Sequence, residues 1–339
     1  MSILQKKHKH INFATKLRHI PTKCMSFLIS ILLIFCSMTA LFSCDGADEE
    51  TSGDYVEFTD ALSRKVRVGQ NPTRVASLLG SFSDVWMLAG GELCASAEDG
   101  WSDFDLDMPD AVNIGGAHSP SLESLLSSNP DFVLASASTA SHISFMESLE
   151  SMGITVAYFD VDNFQDYLQM LKICTDITDR PDLYIEHGLA VSWQIEAIKS
   201  DFRSSNIPES ERKVLILRAA SSFVKAKGSS GTILGEMLSD MGCINIADSD
   251  SSLLENLSVE AIIREDPHHI FVVTMGNDTD SAVALIENMM KENAAWRSLT
   301  AVKENRVHFM DKKLFNLKPN SRWSESYEIL YEIFTEQQK

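Results

Sequence analysis

The chain has 339 residues, 44% of them apolar and 23% charged, which is ordinary for a globular protein and long enough for two domains with full cores. Its formal net charge is −19, and residues 1–43 hold six basic residues and no acidic one, leaving 23 basic against 48 acidic residues in the rest. A surface that acidic repels phosphate backbones, which excludes nucleic acid as a partner.

The chain opens on "MSILQKKHKHINFATKLRHIPTK", basic throughout, followed by "FLISILLIFCSMTALF", Phe27 to Phe42, sixteen residues without a charge. A membrane-spanning helix needs about 20 apolar residues, so this shorter run behind a basic start reads as a secretory signal. It ends in "LFSC", Leu41 to Cys44, and then "DGADEETSGD", a polar tether over 44–54. The arrangement resembles a bacterial lipoprotein signal over 1–43, with Cys44 as the lipidated first residue of the mature chain; an uncleaved N-terminal anchor is the alternative. Either places the folded part on the extracytoplasmic face of the bacterial cytoplasmic membrane, and acyl chains on Cys44 would hold it there. Beyond the address remain Cys94, Cys174 and Cys243, an odd number without a CxxC, which supports neither a disulfide framework nor a zinc site.

The body starts with "YVEFTDALSRKVRV", Tyr55 to Val68, whose alternating apolar residues around a polar centre predict a β-hairpin. Strand-like and helix-like stretches then alternate: "RVASLL", "SDVWMLAGG", "ELCASA", "SLESLLSSNP", "DFVLAS", "ISFMESLESMG" and "TVAYFD". Near Pro181 the alternation stops. "DLYIEHGLAVSWQIEAIKSDFR", Asp182 to Arg203, is free of proline, and Leu183, Leu189, Trp193, Ala197 and Ile198 recur at helical spacing. One helix there would span roughly 33 Å. After "NIPESER" the alternation resumes with "KVLILRA", "TILGEMLSDMG", "SVEAIIREDP", "HIFVVT", "SAVALIENMMKE", "RVHFMD" and "WSESYEILYEIF". The pattern predicts an α/β fold of two Rossmann-like lobes with mainly parallel sheets, over 55–180 and 205–339, joined by a single long α-helix over 181–204.

One block is written twice. "SLESLLSSNPDFVL", Ser121 to Leu134, returns as "SVEAIIREDPHHIF", Ser258 to Phe271, with Glu123 matched by Glu260 and Pro130 by Pro267 at the same offset of 137 residues. Each serine can N-cap a short helix, and each glutamate then sits in the first turn, where the helix dipole favours an anion.

The order and spacing of the hairpin, "NPTRVASL", the two acidic blocks, "LESMGITVAYFD", the long helix, "GSSGTILGEML" with "GCINIA", and "KPNSRWSESY" resemble the substrate-binding proteins of bacterial ABC importers for iron-siderophores, haem and cobalamin. The likeness runs from about Tyr55 to Phe334. It implies a ligand held between the lobes, a permease and its ATPase as partners, and Glu123 and Glu260 as the acids that dock on basic residues of the permease. It implies no catalytic cofactor; the transported ligand would be an iron chelate, haem or a corrinoid.

In open α/β sheets ligands bind beyond the carboxyl ends of the strands. The residues there are Trp101, His118 and Ser138 in the first lobe, and Arg218, Phe223, Lys225, Met275, Lys318, Arg322 and Trp323 in the second. Arg218, Lys225, Lys318 and Arg322 suit carboxylates or catecholates of a chelate, or haem propionates. Trp101, Phe223 and Trp323 suit a flat or aromatic ligand part. His118 and Met275 are of types that ligate haem iron, and His118 is the metal candidate. The chain lacks the P-loop GK[ST], GxSxG and HExxH. The leading expectation is therefore a lipid-anchored receptor for an iron complex. Its rivals are a corrinoid receptor of the same type and a surface α/β lipoprotein or hydrolase without a transport role.

Overall fold

The structure is a computed structural model and describes residues 55–276 and 278–335. The address, Cys44, the tether to position 54 and Asn277 lie outside the described residues.

Strands β1 (Tyr55–Thr59) and β2 (Lys65–Gly69) form the expected antiparallel hairpin, with Tyr55 opposite Gly69 and Thr59 opposite Lys65. Asp60 builds its turn: Oδ1 accepts the Leu62 and Arg64 amides at 3.0 and 2.9 Å, and Oδ2 accepts the Arg64 guanidinium at 2.7 Å. The first half then runs β3 (Val75–Ser77), α1 (Gly80–Leu88), β4 (Ala95–Ser96), α2 (Asp99–Ser102), β5 (Val112–Asn113), the small hairpin β6 (Gly115–Gly116) and β7 (Ser119–Pro120), α3 (Leu122–Ser127), β8 (Phe132–Ser136), α4 (Ala140–Ser144), α5 (Met146–Ser151), β9 (Thr155–Phe159) and α6 (Phe164–Ile177). Its sheet has the order β5-β4-β3-β8-β9, and every pairing is parallel.

The second half comprises β10 (Lys213–Ala220), β11 (Phe223–Lys227), α8 (Ile233–Asp240), β12 (Ile244–Asn245), α9 (Ser251–Asn256), α10 (Val259–Glu265), β13 (His269–Thr274), α11 (Thr279–Glu292), α12 (Ala294–Ser298), α13 (Thr300–Lys303), β14 (Val307–Met310), α14 (Lys312–Phe315) and α15 (Trp323–Thr335). Its sheet has the order β11-β10-β13-β14, with β12 also on β10; only the β10–β11 pairing is antiparallel.

Between the halves runs the connecting helix, α7, whose parts are Pro181–Tyr184, a π-helical turn over Ile185–Leu189, and Ala190–Ser204. The backbone stays helical through both junctions. The wider turn leaves the His187 carbonyl free to accept the Tyr167 hydroxyl at 2.9 Å. The inward stripe differs from the sequence expectation. Gly188, Val191, Ile195 and Phe202 are buried, whereas Trp193 is 67% exposed. At about 100° per residue Trp193 lies roughly 200° from both Val191 and Ile195, on the far side of the helix. The large aromatic faces water, and smaller side chains do the packing.

Both faces of each sheet are covered, which explains strands apolar at consecutive positions. One face of each sheet meets a single core shared by α6, the connecting helix, α8 and α15: Phe132, Leu134 and Phe159 from the first sheet, Ile216, Phe271 and Val273 from the second. The alternate residues pack outward, Val133, Val156 and Tyr158 on one side of the molecule and Leu215, Leu217 and Val272 on the other. Cys94, Cys174 and Cys243 are free thiols.

Candidate ligand-binding site

At the carboxyl edge of the first sheet, Asp99 links two strand-to-helix turns. Its Oδ2 accepts the Gly80 amide at the start of α1 at 2.9 Å, its Oδ1 is buried without a partner, and burial raises its pKa. Gly80 is required: a Cβ there would lie 2.5 Å from the Gly100 nitrogen. Trp101 is half-buried on α2, and His118 is exposed on the turn between β6 and β7. That turn is pinned from below by His142, fully buried, whose Nδ1 accepts the Ser136 amide at 3.1 Å and whose Nε2 lies 2.6 Å from the Ala117 carbonyl. These contacts require the neutral ring protonated on Nε2, and burial holds its pKa below the usual value. Ser138 is exposed, 3.0 Å from Ser136 through its hydroxyl, and hydrogen-bonds the Asp160 carboxylate. Asn163 and Asp166 close a capping box on α6, so the Asn163 side chain is used in holding its own helix.

The four bases expected to gather on the second half divide into two kinds. Arg322 is bound locally, donating to both oxygens of Glu325 at 2.7 and 2.9 Å. Lys318 faces Asp162, Asp160 and Asp166 of the first half; burial pulls its pKa down and these acids pull it back up. Trp323 is 1% exposed, packed edge-on against Phe164 at 5.8 Å, with its indole nitrogen buried and unpartnered. Arg322 and Trp323 are fixed by protein contacts, and Lys318 has acids of the first half to offset its charge.

Arg218 and Lys225 are different. They stand directly opposite each other on the antiparallel β10–β11 pair, and Lys227 stands opposite Ile216 two positions along. Leu217, Ala219 and Ala226 point into the outer core, so alternation puts Arg218, Lys225, Lys227 and Phe223 on the other face. Lys225 lies 5.7 Å from the Phe223 ring centroid. None of the three cations has an ion pair with a described residue. Burial alone lowers the Arg218 pKa, and burial followed by the repulsion of Arg218 and Lys225 lowers that of Lys227. Met275 is half-buried at the end of β13, its amide donating to the Ala219 carbonyl at 2.8 Å. In an acidic chain, three adjacent cations that pair with no described carboxylate form a surface complementary to an anion. Sequence reasoning gathered the bases by chain position; which of them a carboxylate satisfies is a tertiary fact.

Contacts cross between the halves at this edge. Asn320, buried and at φ 51°, donates to the Ser81 carbonyl at 2.9 Å and to Asp84 Oδ2 at 2.8 Å. Burial raises the Asp84 pKa, against the opposing pull of Asn320, His187 and Arg322. Lys312 donates to Asp103 at 2.9 Å, and Lys313 pairs with Asp105. A cavity of about 430 Å³ lies instead beside the connecting helix. There Lys199 already bridges Glu196 and Asp240 at 2.9 and 2.7 Å, so its charges are internally matched.

The two copied blocks fold alike. Ser121 caps α3 by accepting the Ser124 amide at 3.1 Å, and Ser258 caps α10 by accepting the Ala261 amide at 3.3 Å. Glu123 and Glu260 are exposed in the first turns. A helix that feeds a parallel strand begins at the carboxyl edge of its sheet, so both acids lie at that edge. Among the described residues no group of three or more His, Cys, Asp and Glu is placed to hold a metal, and no helix is long and apolar enough to cross a membrane.

The model of the periplasmic binding protein family matches residues 75–314. The putative ABC transporter substrate-binding lipoprotein YhfQ of Bacillus subtilis is 21% identical over 86% of this chain and 92% of its own length. The Fe(3+)-citrate-binding protein YfmC of the same organism is 22% identical over 84% of this chain and 89% of its own. Among solved structures, Staphylococcus aureus SirA complexed with staphyloferrin B superposes with a TM-score of 0.65 at 20% identity, covering 82% of this chain and 98% of SirA.

Proposed function

The chain belongs to the periplasmic binding protein family, and on that premise we propose that it is the receptor of an ABC importer for an iron complex bearing several carboxylates. The ligand lies between the halves at the carboxyl edges of both sheets. Arg218, Lys225 and Lys227 receive its anionic groups, and Phe223 and Trp101 lend apolar and aromatic surface. The observation that carries the reading is the trio of adjacent cations that form no ion pair with a described residue. Holding them unpaired costs the free protein stability, and an anion bound there recovers it. YfmC, by name a ferric-citrate binder, supports this class over a neutral corrinoid. His118 ligating iron directly is a narrower possibility that such a chelate does not need, because its metal arrives already coordinated.

Transfer to the permease runs through Glu123 and Glu260, exposed acids on separate halves that fix orientation by pairing with basic residues. Cys44 supplies the membrane anchor, in line with the lipoprotein name of YhfQ.

The test is titration with ferric citrate, haem and cobalamin, followed by visible absorbance and thermal shift. Ferric citrate should raise the melting temperature, and Arg218→Ala should abolish the rise. A protein that binds cobalamin and ignores ferric citrate would establish the corrinoid reading instead.

A further inference from the structure

The contacts that cross between the halves are of two grades. The Asn320 junction is buried and joins Ser81 and Asp84 of α1 to the segment preceding α15, close to His187 in the π turn of the connecting helix. Asn320 is fully buried and its bond to the Ser81 carbonyl is shielded from water, which makes that junction the more durable of the two. The pairs Lys312–Asp103 and Lys313–Asp105 differ. Lys312 and Asp103 are partly exposed, and Asp105 is 75% exposed.

The local structure presents these lysines deliberately. Asp311 caps α14 by accepting the Lys313 and Leu314 amides at 2.7 and 3.3 Å. Leu314 and Phe315 are buried and fix the helix, which leaves Lys312 and Lys313 to face the loop after α2. Asp105, their outer partner, occupies the left-handed region at φ 54°. Both loops leave strand carboxyl ends, β4 through α2 and β14, the edge at which the ligand is placed.

We infer that Lys312–Asp103 and Lys313–Asp105 form a salt-sensitive clasp over the cleft, whose opening limits how fast ligand enters and leaves. This rests on the cleft reading above. Exposed ion pairs exchange readily with water and are screened beyond about 10 Å at 0.1 M salt. Such contacts suit a closure that must be remade with each transport cycle, whereas the Asn320 junction suits a pivot.

The test uses the full-length chain in detergent. Ferric citrate is chased by excess competing chelator and its release timed by stopped-flow tryptophan fluorescence. Lys312→Gln or Lys313→Gln should speed release up to about five-fold, and the double variant up to about 25-fold. Raising salt from 50 to 500 mM should speed release from the wild type by a larger factor than from the double variant, whose remaining salt dependence is that of the ligand's own contacts with the cations. A second readout needs no ligand: amide hydrogen exchange of residues 103–106 and 312–316 should quicken together in the double variant. The charge swap D103K/D105K/K312D/K313D should restore slow exchange. Unaltered amide exchange in the double variant, or a swap that fails to restore it, overturns the clasp. Failure of wild type to bind ferric citrate overturns the ligand assignment, and hydrogen exchange then decides the clasp alone.

Discussion

Lys225→Glu should move stability and ligand affinity in opposite directions. In the free protein Lys225 stands directly across from Arg218, and among the described residues no carboxylate pairs with Arg218. Like charges in such a cross-strand position cost about 0.2–1 kcal/mol, and an opposite pair returns a similar amount. The substitution removes the first term and adds the second, a gain of about 1 kcal/mol after discounting for solvent screening. For a folded body of this size that is about 2 °C in melting temperature. Binding should suffer, because one charge-assisted contact is lost and a repulsive one takes its place. At about 1.5–3 kcal/mol for a hydrogen bond to a charged group, ferric-citrate affinity falls by about 10- to 100-fold. Calorimetry of the ligand-free protein and a fluorescence titration measure the two effects, and Lys225→Gln should fall between. The gain in stability should shrink at 0.5 M salt. A variant that melts lower than wild type, or that binds ferric citrate equally well, refutes the assignment of this face.

Three further outcomes follow from other parts of the molecule. His269 and His308 share a proton at 3.0 Å beside Arg306, and burial holds their pKa values down at about 3 and about 4. Both are therefore neutral in the fold, while the unfolded chain takes up protons below about 6.5; stability should fall as pH drops from about 6.5 toward 4, by up to about 1.4 kcal/mol per unit for each ring. Urea melts from pH 4.5 to 7.5 should show this slope, and a His269→Phe/His308→Leu variant should reduce it, leaving the part due to buried His142 and half-buried His268. Asn320→Ala removes a buried hydrogen bond and a part-buried one to a carboxylate, and puts alanine at φ 51°; chemical denaturation should show a loss of about 2–4 kcal/mol. Charge reversal of both Glu123 and Glu260 should abolish uptake in cells while leaving ferric-citrate binding intact, and transport that survives it would remove the docking role.

Much of the architecture is legible in the chain. The alternation of apolar runs and amphipathic stretches marks both halves, and the absence of proline from Asp182 to Arg203 marks the helix between them. The repeated block is informative because its serines act locally, each capping a helix three residues ahead. What stays hidden depends on partners far along the chain. Lys318 reads like Lys225 in sequence, yet it lies within the electrostatic reach of Asp160, Asp162 and Asp166 from the other half. The match between "DFD" at Asp103–Asp105 and "KK" at Lys312–Lys313 is visible as complementary charge, but only folding brings together segments about 200 residues apart. Trp193 carries the size of a core residue and none of the burial, because the sequence states the period of a helix without its phase.

The π turn in the connecting helix is a place where residue count can vary. Such a turn carries one residue more than an α turn, through almost the same rotation. Deleting Glu186 would let the backbone relax to regular α-helix and leave Val191 and Ile195 facing the shared core. The same deletion within Ala190–Ser204 would instead twist everything downstream by about 100° about the axis. A one-residue gap in an alignment is therefore harmless at the π turn and disruptive in the regular helix beside it.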